Sequence, residues 1–307
     1  MAETFFNHGM GWRPDLPDFR DYDDTTTSLP SRLKAMKGEK SIKSMTDKIG
    51  LAPNKVARQA IPDSRDLRGD CPPVEDQESI GSCTAHAGIG IVEYYEKKAY
   101  NKHIDASRLF LYKTTRNLLH WTGDTGAYLR STMAAMALFG APPEEFWEYN
   151  IADYDVEPSA FCYAFGQNYQ ALQYYRLDKP GITGENLLKK IKQHLAYGIP
   201  LMFGFTVFNS IGQARNTAEI PYPCPGDRIA GGHAVMAVGY NDKRVIKNSN
   251  CNTAKTKGAL LIRNSWGSGW GDGGYGWLPY DYVLKGLAKD WWSLLKSEWV
   301  DLGIFGL

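Results

Sequence analysis

The sequence predicts an α+β chain. Helix-period apolar spacing dominates the first half, and short strand-like runs take over in the second. The composition is that of a globular protein: 43% hydrophobic, 22% charged and 13% aromatic, without repeats or low-complexity blocks. A length of 307 residues suits two compact lobes, or one large domain with a tail.

Taken in order, residues 1–60 differ from the rest. The Pro/Asp-rich opening from Trp12 to Tyr22 should be extended or turn-rich. Its aromatics (Phe5, Phe6, Trp12, Phe19 and Tyr22) predict docking against the body. A Thr run and a Lys-rich stretch over 25–60 read as a solvated linker. Globular patterning begins at Ile61. Thr84–Ala99 has apolar residues in helical phase at Ala85, Ile89, Val92 and Ala99, and Ala87, Gly88 and Gly90 would let that helix pack closely. Tyr128–Phe139 reads as a second helix, stopping at Gly140 before Pro142 and Pro143. Glu185–Leu195 reads as a third. Leu201–Phe208, Ala234–Tyr240, Ala259–Ile262 and Gly274–Leu278 read as strands. Asn241–Gly258, rich in Lys and Asn, reads as a long loop.

Bulk properties exclude several function classes. A net charge of +1 gives no reason to expect nucleic acid or an anionic membrane as partner. No apolar run approaches the length of a spanning helix, and the first residues lack the basic start and apolar core of a secretory signal. The compartment is therefore left open. Five widely spaced cysteines without a Cys-x-x-Cys argue against a thiolate zinc site and a dense disulfide scaffold. A single Cys224–Cys251 bridge stays open, since sequence does not test its geometry.

Three stretches carry chemistry. Asp76–Ala87 places Cys83 between a Gly/Ser turn and a helix, whose N-terminal partial charge favours thiolate over thiol. Alone, such a cysteine is more often a buried structural residue. Gly231–Tyr240 puts His233 at the mouth of an apolar strand, where histidines are more often structural than catalytic. Arg263–Gly276 ends a strand at Asn264 and continues into a Gly/Trp-rich turn.

Together these stretches resemble the papain-like cysteine peptidases over residues 61 to about 280. Gln77 stands six positions before Cys83, which ends a Gly-Ser-Cys triplet. His233-Ala-Val precedes Val-Gly-Tyr, and Asn264-Ser-Trp-Gly is followed by Trp270-Gly and Gly274-Tyr. The order Cys, His, Asn agrees, with His233 falling 150 positions after Cys83. The resemblance implies two lobes with the active site in the cleft between them: a helical lobe over 61–170 carrying the nucleophile, and a β-rich, barrel-like lobe over 171–307 carrying His and Asn.

It also implies roles. Cys83 would be the nucleophile, His233 the base and Asn264 the residue that orients the imidazole. Gln77 and the Cys83 N–H would form the oxyanion hole. Trp266 would shield the His–Asn contact. Gly126 would pair with substrate backbone at the second residue before the cut, and the Gly232 carbonyl would meet the residue before the cut. Residues 1–60 would be a short pro-like segment that blocks the cleft. Peptide or protein is the expected substrate, the chain is expected to act as a monomer, and no cofactor or metal is called for. Departures from the family pattern stand at Thr84 (usually Trp), Glu78 (commonly Gly), Ile80 (a disulfide cysteine in secreted members) and His86 (often aromatic), the last read as packing behind the nucleophile. Two rival functions use the same fold: acyl transfer to an amine instead of water, and peptide binding without catalysis.

Overall fold

The computed structural model of the chain describes residues 3–5, 7–26, 61–251 and 255–297. An N-terminal hairpin, β1 (Glu3–Phe5) and β2 (His8–Met10), leads into an extended arm that ends the first described stretch at residue 26. After β3 (Ser64–Asp66) come three helices: α1 (Cys83–Tyr100), α2 (Arg108–Leu118) and α3 (Leu129–Leu138). A short α4 (Ala160–Gly166) closes this part. Then follow β4 (Ala171–Arg176), α5 (Gly184–Ala196), β5 (Leu201–Phe208), α6 (Ala214–Thr217), β6 (Ile229–Lys247), β7 (Lys255–Arg263), β8 (Tyr275–Pro279), α7 (Asp281–Leu284) and β9 (Ala288–Ser297). The seven-stranded sheet runs β4-β9-β5-β6-β7-β8, with β3 added on β6, and every pairing is antiparallel. Helices on one side and this sheet on the other make an α+β fold of two lobes.

Local sequence accounts for the parts that position the site. In α1 nearly every side chain of the first ten residues is buried, so the helix runs through the core against β6, β5 and β9. The expected close packing is present: a Cβ on Gly88 would lie 2.9 Å from Met136 Sδ of α3, and one on Gly90 3.0 Å from Arg263 Nη1. The helix ends at Asn101, whose left-handed backbone lets its N–H reach Lys97 O at 2.8 Å.

Helix α2 escapes apolar periodicity because Arg108, Lys113 and Arg116 are buried within it. Arg108 is held by both oxygens of the equally buried Glu93 at 2.9 Å. The stretch Asn241–Gly258 is a correction to the loop reading. Most of it is a hairpin extension of β6 and β7, paired Val245–Lys257, Ile246–Thr256 and Lys247–Lys255. Its lysines face solvent while Ile246, Asn248 and Thr256 are buried, and with so few apolar side chains the strand pattern is hidden. The turn is tied back by a Cys224–Cys251 disulfide with a Cα–Cα distance of 6.2 Å, which settles the open pairing.

The arm docks as its aromatics predict, though not through all of them. Trp12 is buried and Tyr22 packs edge-on to Tyr174, but Phe19 is 94% exposed. Phe6 and the linker over 27–60 lie outside the described residues.

Candidate active site

Cys83 is the first residue of α1, so the helix N-terminus points its free N–H groups toward the sulfur. The side chain is fully buried. Its Sγ accepts the Ala234 N–H at 3.4 Å, directly after His233 on β6, and faces the backbone N–H of Gly11 from the arm. Burial pushes the thiol up to about 11, against the pull of the Ala234, Gly11 and Thr84 N–H groups.

His233 is equally buried and donates from Nε2 to Asn264 Oδ1 at 2.7 Å. That leaves Nδ1 as the other nitrogen, and it has no hydrogen-bond partner among the described residues. Burial lowers the imidazole to about 4, the Asn264 bond opposing. Asn264 Oδ1 also accepts the Ser265 N–H at 2.9 Å, which fixes the amide. Trp266 lies on the His233 ring (centroids 4.8 Å apart) and Trp270 meets Trp266 edge-on.

Gln77 is locked by three partners. Its Oε1 accepts from Ser265 Oγ at 2.6 Å, and its Nε2 donates to Ile80 O at 2.9 Å and to Gly9 O of the arm at 2.8 Å. With Oε1 held by Ser265, the amide must present N–H to the cleft. Tyr149, which sequence reasoning missed, joins this wall to the nucleophile helix. Its hydroxyl donates to Gln77 O at 2.9 Å and meets Ser82 Oγ at 2.7 Å. No sequence signal distinguishes that tyrosine among 18.

The arm runs through this site. His8 stacks on Trp266 and contacts Asp76 Oδ1 at 3.1 Å. Gly9 donates to Glu78 O, and Gly9 and Gly11 lie so close to Ile80 and Gly81 that a Cβ on either would collide with backbone. The Trp12 N–H donates to Gly232 O at 3.0 Å, so the carbonyl of that glycine is engaged by arm backbone. The Trp12 indole fills the slot over Gly204 and Gly232, and its Nε1 donates to Asp290 Oδ2 at 3.2 Å. Gly126 borders the arm, but its own N–H goes to Tyr112 OH. The backbone pairing is made one residue on: Ala127 N–H to Gly11 O at 2.8 Å and Arg13 N–H to Ala127 O at 3.1 Å. The arm's edge contact is thus made at Ala127, while the positive φ of Gly126 (71°) accompanies an N–H turned to Tyr112 OH.

The departures find physical places. Glu78 has φ 54°, a conformation that favours glycine, and its side chain is exposed. Ile80 and Thr84 are buried. His86 is buried with Nδ1 on Ser82, edge-on to Tyr149, and burial lowers it to about 3. This is the packing role expected of it. Asp290, also missed, is fully buried. Burial pushes its carboxyl up to about 7, against Arg176 at 3.2 Å.

Known proteins resemble this chain along most of its length. The sequence pattern of the papain family of cysteine proteases matches residues 61–289. An uncharacterised peptidase C1-like protein of Acanthamoeba polyphaga mimivirus is 33% identical over 71% of this chain and 68% of its own length. A cysteine protease of Blomia tropicalis is 27% identical over 70% of the chain, which spans only 59% of that protein. Among solved structures, xylellain, a cysteine protease from Xylella fastidiosa, superposes with a TM-score of 0.70 at 29% identity, covering 96% of this chain and 98% of its own.

Proposed function

Because the chain belongs to the papain family of cysteine proteases, we propose that it is an endopeptidase working through Cys83, His233 and Asn264, held inactive by residues 3–26. Proton transfer from the Cys83 thiol to His233 Nδ1 gives a thiolate, which adds to the scissile carbonyl carbon. The oxyanion is received by Gln77 Nε2 and the Cys83 N–H. His233 returns the proton to the departing amine as the C–N bond breaks, leaving a thioester. It then takes a proton from water, whose oxygen attacks the thioester and frees the acid and the thiol. Asn264 keeps Nε2 engaged so that Nδ1 stays the working nitrogen. In this reading the helical lobe over 61–170 supplies the nucleophile, and 171–307 the base and its partner.

The observation that supports the reading is the hydrogen bond from Gln77 Nε2 to the Gly9 carbonyl at 2.8 Å: the side chain proposed to receive the oxyanion is engaged by a peptide carbonyl of the arm. The arm is poorly placed to be cut. A substrate must put its acyl residues along Ala127 and Gly232 and its leaving amine toward His233 and Trp266. The arm runs the other way, with His8 at Trp266 and Arg13 at Ala127. It presents the Gly11 N–H to the sulfur.

The test is hydrolysis of a peptide library by the full chain and by Trp12→Ala, with Cys83→Ala as control. Cleavage products that rise in Trp12→Ala and vanish with Cys83→Ala support the proposal. Products that persist in Cys83→Ala overturn it. An added amine appearing in place of water in the products identifies acyl transfer instead.

A further inference from the structure

The arm does two different things along its length. Residues 8–13 fill the cleft, whereas residues 15–24 lie on a separate surface and meet it chiefly through charge. Asp15 and Asp21 both grip Arg130 of α3, whose Nε and Nη2 donate to the two oxygens of Asp21 at 2.7 and 2.9 Å. Asp21 also stands 3.5 Å from Arg176 at the end of β4. Asp23 lies 3.5 Å from Lys179, and Asp24 2.7 Å from Lys190 on α5. Main-chain carbonyls are read by the same residues. Arg130 Nη2 donates to Leu16 O at 2.6 Å, Arg176 Nη2 to Asp15 O at 3.0 Å, and the Arg176 N–H to Tyr22 O at 2.7 Å.

These four cations differ in what they hold apart from the arm. Arg176 keeps Asp178 and Asp290 as partners of the body. Arg130, Lys179 and Lys190 pair, among the described residues, with arm carboxylates alone. When the arm lifts, three cations on α3, the turn after β4 and α5 lose every counter-ion that the described residues give them. In a protein of net charge +1 this is a localised feature and not a generally basic surface.

We infer that this track is an exosite for an acidic, extended polypeptide. A partner or substrate segment with carboxylates spaced as in Asp15–Asp24 takes the arm's place on Arg130, Lys179 and Lys190, and thereby draws residues 8–13 out of the cleft. The inference rests on the reading of the arm as a cleft blocker. Mechanical continuity supplies the coupling, since Asp15 is two residues from Arg13, which pairs with Ala127. The class of ligand follows from the contacts: three bonds are to main-chain carbonyls, which a polypeptide carries at every residue, and Tyr22 packs edge-on to Tyr174.

The experiment uses the full chain and a fluorescein-labelled peptide with the sequence of residues 14–26. In a full-length variant carrying Asp15→Asn, Asp21→Asn, Asp23→Asn and Asp24→Asn, the peptide should bind saturably by anisotropy. Binding should weaken about tenfold or more when Arg130→Glu and Lys190→Glu are added, and should weaken again as salt rises. Unlabelled peptide should also raise peptide hydrolysis by the wild-type chain, and its Asp-to-Asn counterpart should not. A variant more active than wild type that fails to bind the peptide overturns the exosite while leaving the blocking arm intact. Peptide binding by a variant no more active than wild type overturns the blocking arm, and with it the coupling, while the track itself stands. A single-stranded DNA oligomer competing as well as the peptide overturns the polypeptide assignment.

Discussion

Replacing Trp12 by alanine tests how firmly the arm is seated. The indole is 6% exposed, lies over Gly204 and Gly232, and donates to the buried Asp290. An aromatic side chain of this kind buries roughly 150–250 Å², which at about 25 cal/mol per Å² is about 4–6 kcal/mol, an upper range because the released arm stays partly collapsed. Large-to-small truncations of tryptophan cost about 3–5 kcal/mol. The loss falls mainly on the equilibrium between seated and released arm, because the slot walls are glycines of strands with their own core. At about 1.4 kcal/mol per tenfold, the released fraction should rise about a hundred- to a thousandfold until it saturates. Two readouts follow that rise: the initial rate on a fluorogenic peptide, and the rate at which an epoxide labels Cys83. Trp12→Phe keeps the ring and loses the Nε1 donor, so it should fall between wild type and Trp12→Ala. A folded Trp12→Ala, with an unchanged melting temperature and no faster labelling, would refute the reasoning: the indole would then not hold the arm.

Other substitutions address the site itself, each in the Trp12→Ala background. Gln77→Ala removes one oxyanion donor and should lower kcat by about 10²–10³-fold with little change in KM. Asn264→Ala frees the imidazole to turn; kcat should fall about a hundredfold or more, and the pH profile should shift because the Asn264 bond supports the charged ring. Ala127→Pro deletes the N–H that donates to Gly11 O, so peptide KM should rise while small activated esters, which do not reach that edge, are cleaved as before. Asp290 gives a pH prediction of stability. Its folded pKa, about 7, lies above the ordinary 3.8, so the native state holds a proton that the unfolded state has released. Its contribution is complete below about 4 and lost as pH rises toward 7. Asp290→Asn should flatten the melting temperature across that window, whereas a slope equal to wild type would mean that the carboxyl is not the group responsible.

What was legible in the sequence follows from how locally each feature is encoded. Helices α1, α3 and α5 declare themselves because one face is apolar at helical spacing and a capping residue or glycine ends each. Cys83, His233, Asn264 and Gln77 are legible because each sits in a short motif whose glycines and tryptophans have local jobs. Helix α2 hides because Arg108 and Arg116 are buried in ion pairs and hydrogen bonds made far along the chain, to Glu93 and to the stretch around Asp155. Strand β9 hides because Lys289 and Asp290 interrupt its apolar run, and Asp290 tolerates burial only beside Arg176 and two indoles. Whether Gly126 or Ala127 pairs with the arm turns on one backbone torsion, which residue type leaves open. Tyr149 and Ser265 act through hydroxyls that reach the site only once distant segments have met.

The polarity of the arm has a further consequence for how such a molecule is used. A blocking segment laid down in the substrate's own direction would be consumed on first opening, and control would end with that cut. A segment laid in reverse leaves the groove with every peptide bond whole. It remains tethered to the body at high local concentration and able to reseat when whatever displaced it departs. On the proposed reading, activity would follow the continuing presence of the displacing agent, not a single past event, and the enzyme would behave as a valve and not as a fuse.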